Sequence, residues 1–273
     1  MPEGDTLHKL AAKVRPGLLH RPIAMLRERD RGVLTALEGR SITEVSAIGK
    51  NLLIAVEPRW MIRVHLGLRG RGITWPLSVD WRRKSYAATL VLVTDRLAFG
   101  TFRTLHARTH RRDGPGLERI LAHLGPDLLA DEVDVGTVVS RARGPGHAGT
   151  AIGELLLDQR VAAGIGNVYR CELLFLEGVH PRVPVSALDD DTLAALFSRA
   201  RTLMFENLVD GRRSTVGPRR GARRQPGVPR LFVYRRRGLP CLRCRTPIER
   251  DLLGDQARSI YWCPRCQPLT PGR

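Results

Sequence analysis

Lysine is almost absent from this sequence, long apolar runs are missing, and no stretch repeats another. Lysine stands only at positions 9, 13, 50 and 84 among 45 basic residues, so the cationic surplus is nearly all arginine. No apolar run approaches the ~20 residues that a membrane-spanning helix needs. The first twenty residues carry His8, Lys9, Lys13, Arg15 and His20 where a secretory leader would require an unbroken apolar stretch. A soluble, cytoplasmic protein is expected. Acidic residues are also few, 27 against 45 basic, which leaves a formal net charge of +18 and a pI near 11.1. The usual partner of such a surface is a polyphosphate, with an anionic membrane surface as the other class, although base composition of the gene also enriches arginine. Cysteine is scarce too, with five in the chain and four of those close together near its end.

What is present suffices for two domains with cores of their own, since the chain has 273 residues and 42% apolar content. A first helix is expected with Asp5 or Thr6 as N-cap, because Leu7, Leu10, Ala11 and Val14 share one helical face. The segments "SITEVSAIGKNLLIAVE", "MIRVHLGL" and "ATLVLVTDRLAFGTF" then read as strands broken by Gly, Asp or Pro. From "GPDLLADEVD" onward the pattern turns helical. "AIGELLLDQRVAAGIGNVYRCELLFLEGVHP" reads as two helices joined at Gly164 and Gly166, the second restarting at Asn167. A further amphipathic helix runs through Leu193, Leu196, Phe197, Ala200, Leu203 and Met204, with Asp189 to Asp191 at its favourable dipole end. The arginine-rich, Gly- and Pro-bearing stretch 211–230 is expected to be a basic loop, either a solvated charge run or a nucleic-acid contact.

Cys241, Cys244, Cys263 and Cys266 form a C-x2-C, eighteen-residue, C-x2-C pattern, the spacing of a structural Zn2+ ribbon. Two residues between cysteines make a tight turn that aims both thiolates at one tetrahedral ion, and four thiolates leave no open catalytic position. Disulfides are the alternative, disfavoured in a reducing compartment. Between the pairs, "QARSIYW" reads as a hairpin with Arg258 near its tip, where a guanidinium can grip a phosphate. Cys171, alone on an apolar helix face, is expected in the core.

Taken in order, "PEG" at the start, "GKNLL" around Lys50, "HLGL" at positions 65–68, "DQRVAAGIGNVYRCELLFLEGVHP", "VYRRRGLPCLRC" and "ARSIYWCPRCQ" resemble the Fpg/Nei DNA glycosylases, that is, formamidopyrimidine-DNA glycosylase and endonuclease VIII. The resemblance covers nearly the whole chain. It implies an α+β fold: a β-sandwich with an N-terminal helix over 1–125, a helical domain with a helix-two-turn-helix motif over 126–232, and a zinc-ribbon finger over 233–273. Double-stranded DNA carrying damaged bases or abasic sites would lie in a basic cleft between domains, bound by a monomer. The implied activity is excision of oxidised bases followed by strand cleavage through β- and δ-elimination.

By the same resemblance Pro2 is the Schiff-base nucleophile, and an α-amino group is ~2.5 pKa units less basic than a lysine, which leaves more of it unprotonated. Glu3 is the proton donor, Lys50 a proton donor and phosphate contact, and Arg258 the ribbon arginine that holds the phosphate. Asn167 falls at a helix N-terminus, a ready phosphate site. Leu68 corresponds to the wedge that fills the gap left by a flipped nucleotide. Two departures stand out. Formamidopyrimidine-type members open "PELPE" whereas this chain has "PEGDT", so Thr6 replaces a glutamate whose role is lost or passes to Asp5. Their "RRFG" loop is matched to "LAFG", with Ala98 in place of an arginine. Both departures favour oxidised pyrimidines over 8-oxoguanine as substrates. The rival readings are an 8-oxoguanine-type glycosylase and a non-catalytic damaged-DNA-binding protein on the same scaffold.

Overall fold

A computed structural model describes residues 1–209, 211–217, 227 and 229–269. The chain divides into two compact units, Met1–His123 and Leu124–Arg273.

The first unit begins with helix α1 (Gly4–Leu18), whose Leu7, Leu10, Ala11, Val14 and Leu18 are buried. Its N-cap is Glu3 rather than Asp5 or Thr6. The reason is a reciprocal capping box: the Glu3 carboxylate accepts the Thr6 N–H, and the Glu3 N–H donates to Thr6 Oγ1 at 3.2 Å. Nine strands follow: β1 (Met25–Glu28), β2 (Gly32–Val33), β3 (Ile42–Ile48), β4 (Asn51–Val56), β5 (Trp60–His65), β6 (Arg71–Pro76), β7 (Leu90–Val93), β8 (Leu97–Phe102) and β9 (His106–Arg111). The short helix α2 (Trp81–Lys84) lies between β6 and β7, and α3 (Pro115–Ala122) ends the unit. The strands form two antiparallel sheets, ordered β2-β1-β7-β8-β6 and β3-β4-β5-β9.

One core joins these layers. Leu26, Leu90, Leu92 and Phe99 come from the first sheet, Ile42, Leu52, Ile54, Ile62 and Val64 from the second, and α1 adds its apolar face. Each such side chain, fully buried, contributes roughly 1.5–3 kcal/mol. Alternate residues of β4 point the other way, so Leu53 and Ala55 meet Met61 and Leu117 of α3. That explains why β4 is buried along its whole length. The β-sandwich with an N-terminal helix is therefore present as expected, with β1, β2, β6 and β9 added to the strands legible in the sequence.

The second unit contains α4 (Val135–Ala142), α5 (Ile152–Leu155), α6 (Asn167–Leu176), α7 (Asp190–Glu206) and a hairpin of β10 (Glu249–Leu253) with β11 (Arg258–Trp262). The expected first helix of the helical pair shrinks to the single turn of α5. Gln159 ends it: its side-chain amide donates to the carbonyls of Leu157 (2.8 Å) and Ile165 (3.1 Å), and its oxygen accepts the Gly164 N–H (3.1 Å). The polar groups of a tight loop are thus satisfied without further helix. Asp189 caps α7 by accepting the Thr192 N–H at 2.8 Å. Cys171 is buried in the core, among Ile152, Leu174, Phe197 and Leu203. Ile260 and Trp262 of the hairpin enter that same core, so the ribbon, read from sequence as a domain of its own, packs as one body with the helices. Among the described residues no helix is long and apolar enough to cross a membrane.

Candidate active site and metal centre

In the first unit the candidate residues cluster at element ends. Pro2 is half-buried and precedes the cap of α1, while Glu3 is completely buried. The Glu3 carbonyl also accepts the backbone N–H groups of Thr6 (2.9 Å) and Leu7 (3.3 Å), so this carboxylate stands on a rigid helix start. Thr6 Oγ1 takes the capping contact at the third helical position and also donates to Asp5 Oδ1 at 3.3 Å; Asp5, itself buried, pairs with Lys9 at 3.7 Å. The carboxylate absent at position 6 is therefore replaced, for capping, by the threonine hydroxyl rather than by Asp5.

Lys50 lies in the β3–β4 turn beside Gly49, whose φ of 56° is in the region that favours glycine. The residue after it, Asn51, pairs in register with His65 and accepts a hydrogen bond from Arg63 at 2.8 Å. His65 Nδ1 accepts the Gly67 N–H at 3.1 Å, which leaves the ring proton on Nε2. Burial, together with the charges of Arg63 and Lys50, pushes the imidazole down to about 4, so His65 is a neutral donor near pH 7. The "HLGL" motif contained this histidine, but nothing in the spacing announced its tautomer.

Leu68 follows on the β5–β6 turn and is 57% exposed, as a wedge must be and a core leucine is not. Leu105, 75% exposed on the β8–β9 turn, comes close to the same loop: a Cβ placed on Gly67 would stand 2.9 Å from Leu105 Cβ. The strand expected over "ATLVLVTDRLAFGTF" includes "LAFG", and the match of "LAFG" to the relatives' "RRFG" loop is corrected. Leu97 to Gly100 belong to strand β8, hydrogen-bonded to β6 on one side and β7 on the other, with Ala98 and Phe99 fully buried. Such residues cannot reach a ligand, so Ala98 says nothing about the base opposite a lesion. The exposed residues are Arg103 and Leu105 of the turn that follows, with Arg103 at a φ of 50°.

In the second unit Asn167 opens α6 after the N-cap Gly166. It is buried, and its side-chain amide donates to the Ser259 carbonyl at 2.8 Å. Helix start and hairpin are thereby brought together, with Arg258 as the first residue of β11 and its Nε donating to Gln256 Oε1 at 2.8 Å. Two buried charged residues that the sequence did not single out lie on the same helix. Arg170 reaches the network around Asn167. Glu172 is fully buried and accepts the N–H groups of Phe232 (2.7 Å), Val233 (2.9 Å) and Tyr234 (2.9 Å) and the hydroxyl of Thr215. Burial pushes its carboxyl up while these four donors pull it down. Glu172 thus fastens Thr215, within the basic stretch, and residues 232–234 just after it; residues 218–226 and 228 of that stretch lie outside the described residues.

The four ribbon cysteines offer sulfurs that all lie within 4.8 Å of one another, none of them in a disulfide. Sulfur–sulfur separations of 3.9 Å (Cys241 to Cys266) and 3.4 Å (Cys244 to Cys263) compare with ~3.8 Å for a tetrahedral zinc tetrathiolate with Zn–S near ~2.3 Å. Gln267 ties this centre to the helices, accepting the Cys263 N–H at 3.0 Å and donating to the Val179 carbonyl at 2.8 Å. The donor set and geometry fit a structural zinc ion.

Comparison with known proteins places these features together. Residues 1–108 match the formamidopyrimidine-DNA glycosylase N-terminal domain and residues 124–217 the formamidopyrimidine-DNA glycosylase H2TH domain. The chain is 37% identical to a probable endonuclease 8 2 of Streptomyces coelicolor, covering 98% of this chain and 94% of that one. It is 34% identical to the DNA-(apurinic or apyrimidinic site) lyase Nei2 of Mycolicibacterium smegmatis, covering 98% and 99%. Among solved structures, the MutM (Fpg) protein of Thermus thermophilus superposes with a TM-score of 0.74 at 28% identity over 99% of this chain and 100% of that one. Matched along both units and by relatives of equal length, the chain belongs to the Fpg/Nei family of DNA glycosylases.

Proposed function

We propose that the protein is a base-excision repair enzyme that flips out and excises oxidised bases from double-stranded DNA, then cleaves the abasic strand by β,δ-elimination. The observation that carries this reading is the Pro2–Glu3 pair, a proline at the tip of the chain followed by a carboxylate buried and locked at a helix cap. DNA binding alone requires neither. Once Met1 is removed, the secondary amine of Pro2 attacks the deoxyribose C1′. Glu3 supplies the proton that lets the base depart or the sugar ring open. The resulting iminium acidifies the C2′ proton, whose loss expels the 3′ phosphate; loss of the C4′ proton, acidified through the conjugated iminium so formed, then expels the 5′ phosphate.

Lys50 and His65 offer phosphate or proton contacts at the β3–β4 and β5–β6 turns. Asn167 and Arg258 form a phosphate grip at a helix N-terminus, where the positive end of the helix dipole favours an anion. Leu68, with Leu105 beside its loop, fills the space left by the flipped nucleotide; both are exposed apolar side chains. Cys241, Cys244, Cys263 and Cys266 would hold one zinc ion, which when bound cross-links the ribbon turns and leaves no open coordination position. The protein acts as a cytoplasmic monomer in this reading. Oxidised pyrimidines are its preferred lesions, a preference that rests on the "PEGDT" opening now that Ala98 is set aside.

Borohydride reduction with an oligonucleotide containing an abasic site tests the chemistry. A covalent adduct is expected, absent in Pro2→Gly with methionine processing intact, and mass spectrometry of the purified protein should show Met1 gone. No adduct from the wild-type protein sinks the enzyme and leaves the binding-protein reading. Duplexes bearing oxidised pyrimidines or 8-oxoguanine decide the lesion class.

A further inference from the structure

Arg170 is the largest fully buried side chain of the described residues. Burial pushes its guanidinium down, against which Cys171 and Glu154 act, and its Nε is buried with no hydrogen-bond partner. A guanidinium in that situation is costly, and an apolar side chain of similar length would fill the same space without the cost. What a guanidinium offers in return is a rigid planar fork.

The fork joins three separate segments. One terminal nitrogen donates to the Gly153 carbonyl of α5 at 2.9 Å. The other donates to Asn167 Oδ1 and to the Ser259 carbonyl at 3.2 Å, and reaches the Arg258 carbonyl at 3.5 Å. Asn167 closes the ring by donating to the same Ser259 carbonyl at 2.8 Å. The carboxamide of Asn167 is therefore held at both its oxygen and its nitrogen, and the backbone that carries Arg258 is held through two adjacent carbonyls.

We propose that Arg170 is the positioning residue of the Asn167–Arg258 phosphate grip, setting the spacing between the start of α6 and the start of β11 without touching DNA itself. The proposal rests on the reading that Asn167 and Arg258 hold a DNA phosphate. A lysine at 170 keeps the charge but cannot fork, and a methionine keeps the packing of the stem but has neither charge nor donors. Zinc content and a cooperative unfolding transition are checked in each variant, and rates are read from folded, zinc-loaded protein; Arg170→Met exchanges a buried charge for an apolar side chain, a change often neutral for stability.

The test uses the full-length, zinc-loaded protein in two measurements. At saturating abasic DNA, Arg170→Lys and Arg170→Met should each lower the single-turnover rate of strand cleavage on the order of 10- to 100-fold, the scale of an ångström-sized misplacement. In the DNA-free protein, amide exchange over residues 258–262 should speed up in both variants while exchange in α7 stays as in wild type. Wild-type cleavage rates in Arg170→Met would show that the arginine serves packing alone and overturn the proposal. Unchanged exchange over 258–262 would overturn it as well. A wild-type protein that cleaves no abasic DNA, with exchange altered in the variants, would instead remove the functional reading and leave Arg170 as the organiser of this hairpin.

Discussion

In the first unit, Glu3, Lys50 and Leu68 stand at the ends of elements whose interiors are largely aliphatic, and the cluster that joins α1 to the sheets is built from apolar side chains. In the second unit the residues around the candidate site tie distant segments together: Asn167, Arg170, Glu172 and Gln267 are buried polar or charged groups bonded to residues far along the chain, whereas the capping bonds of buried Glu3 run to Thr6 and Leu7 of its own helix. The first arrangement separates stability from chemistry, because a site side chain can change while the sheets and α1 remain packed. The second fuses them. A network of buried polar groups specifies one geometry when fully satisfied and is costly when any member is lost. A site built to grip a phosphate at a set distance gains from that rigidity, whereas one that performs proton transfer needs its acid held but not its whole core committed.

The widest separation between the two units should appear on metal removal. Stripping zinc with a chelator, or replacing Cys263 with Ser, forfeits a term of about 10 kcal/mol or more. Amide protection is expected to collapse in α6, α7 and the hairpin while β4 and β5 stay protected. Hydrogen exchange read by mass spectrometry checks this, and a second unit that stays protected without metal would break the comparison.

Next in size is Glu3→Gln. The amide still offers an oxygen to the Thr6 N–H, so stability should change by less than ~1 kcal/mol, while base excision falls on the order of 10²- to 10⁴-fold. Single-turnover kinetics beside a thermal melt would show the split, and a large loss of stability would mean that the first unit too has fused its site to its fold.

Glu172→Ala sharpens the contrast from the other side. It leaves three backbone N–H groups and a hydroxyl without their acceptor, a loss of roughly 3 kcal/mol or more in stability. Urea unfolding measures it, and a neutral result would show that the buried network matters little.

The smallest effect concerns pH. Burial holds His65 and His106 down to about 4 in the folded state, against ~6.5 when unfolded. The unfolded chain therefore binds more protons in that window, and the stability these residues permit above ~6.5 is lost as pH falls toward 4. A change on the order of 1 kcal/mol per histidine is expected after solvent screening. His65→Asn with His106→Gln should flatten the dependence of the urea midpoint on pH; an unaltered slope would place its origin elsewhere.

Several features were readable before any coordinates. Period-2 and period-3.6 patterns mark β3, β4, β5, β7, β8 and α7, and the cysteine spacing marks the metal centre, because each depends on residues close together in the chain. Other features do not follow from local pattern. The strand pattern covers "LAFG", whereas the family match sets it against a loop; the hydrogen bonds to β6 and β7 decide for the strand, with Ala98 and Phe99 buried. The start of α1 was placed two or three residues late because aspartate and threonine are commoner caps than glutamate, while the capping box depends on Thr6 turning back to the Glu3 N–H.

Local chemistry thus accounts for the elements, the cysteine cluster and, through family resemblance, for the proposal of Pro2 and Glu3 as the reactive end. It could not account for Arg170 and Glu172. A charged residue on a helix looks the same in sequence whether it faces water or the interior, and these two acquire their roles only when carbonyls of residues 258 and 259, and amides of residues 232 to 234, are folded against them. Their partners lie sixty to ninety positions away along the chain. Over such separations no periodicity survives, and the outcome is set by how the helices and the ribbon share one core.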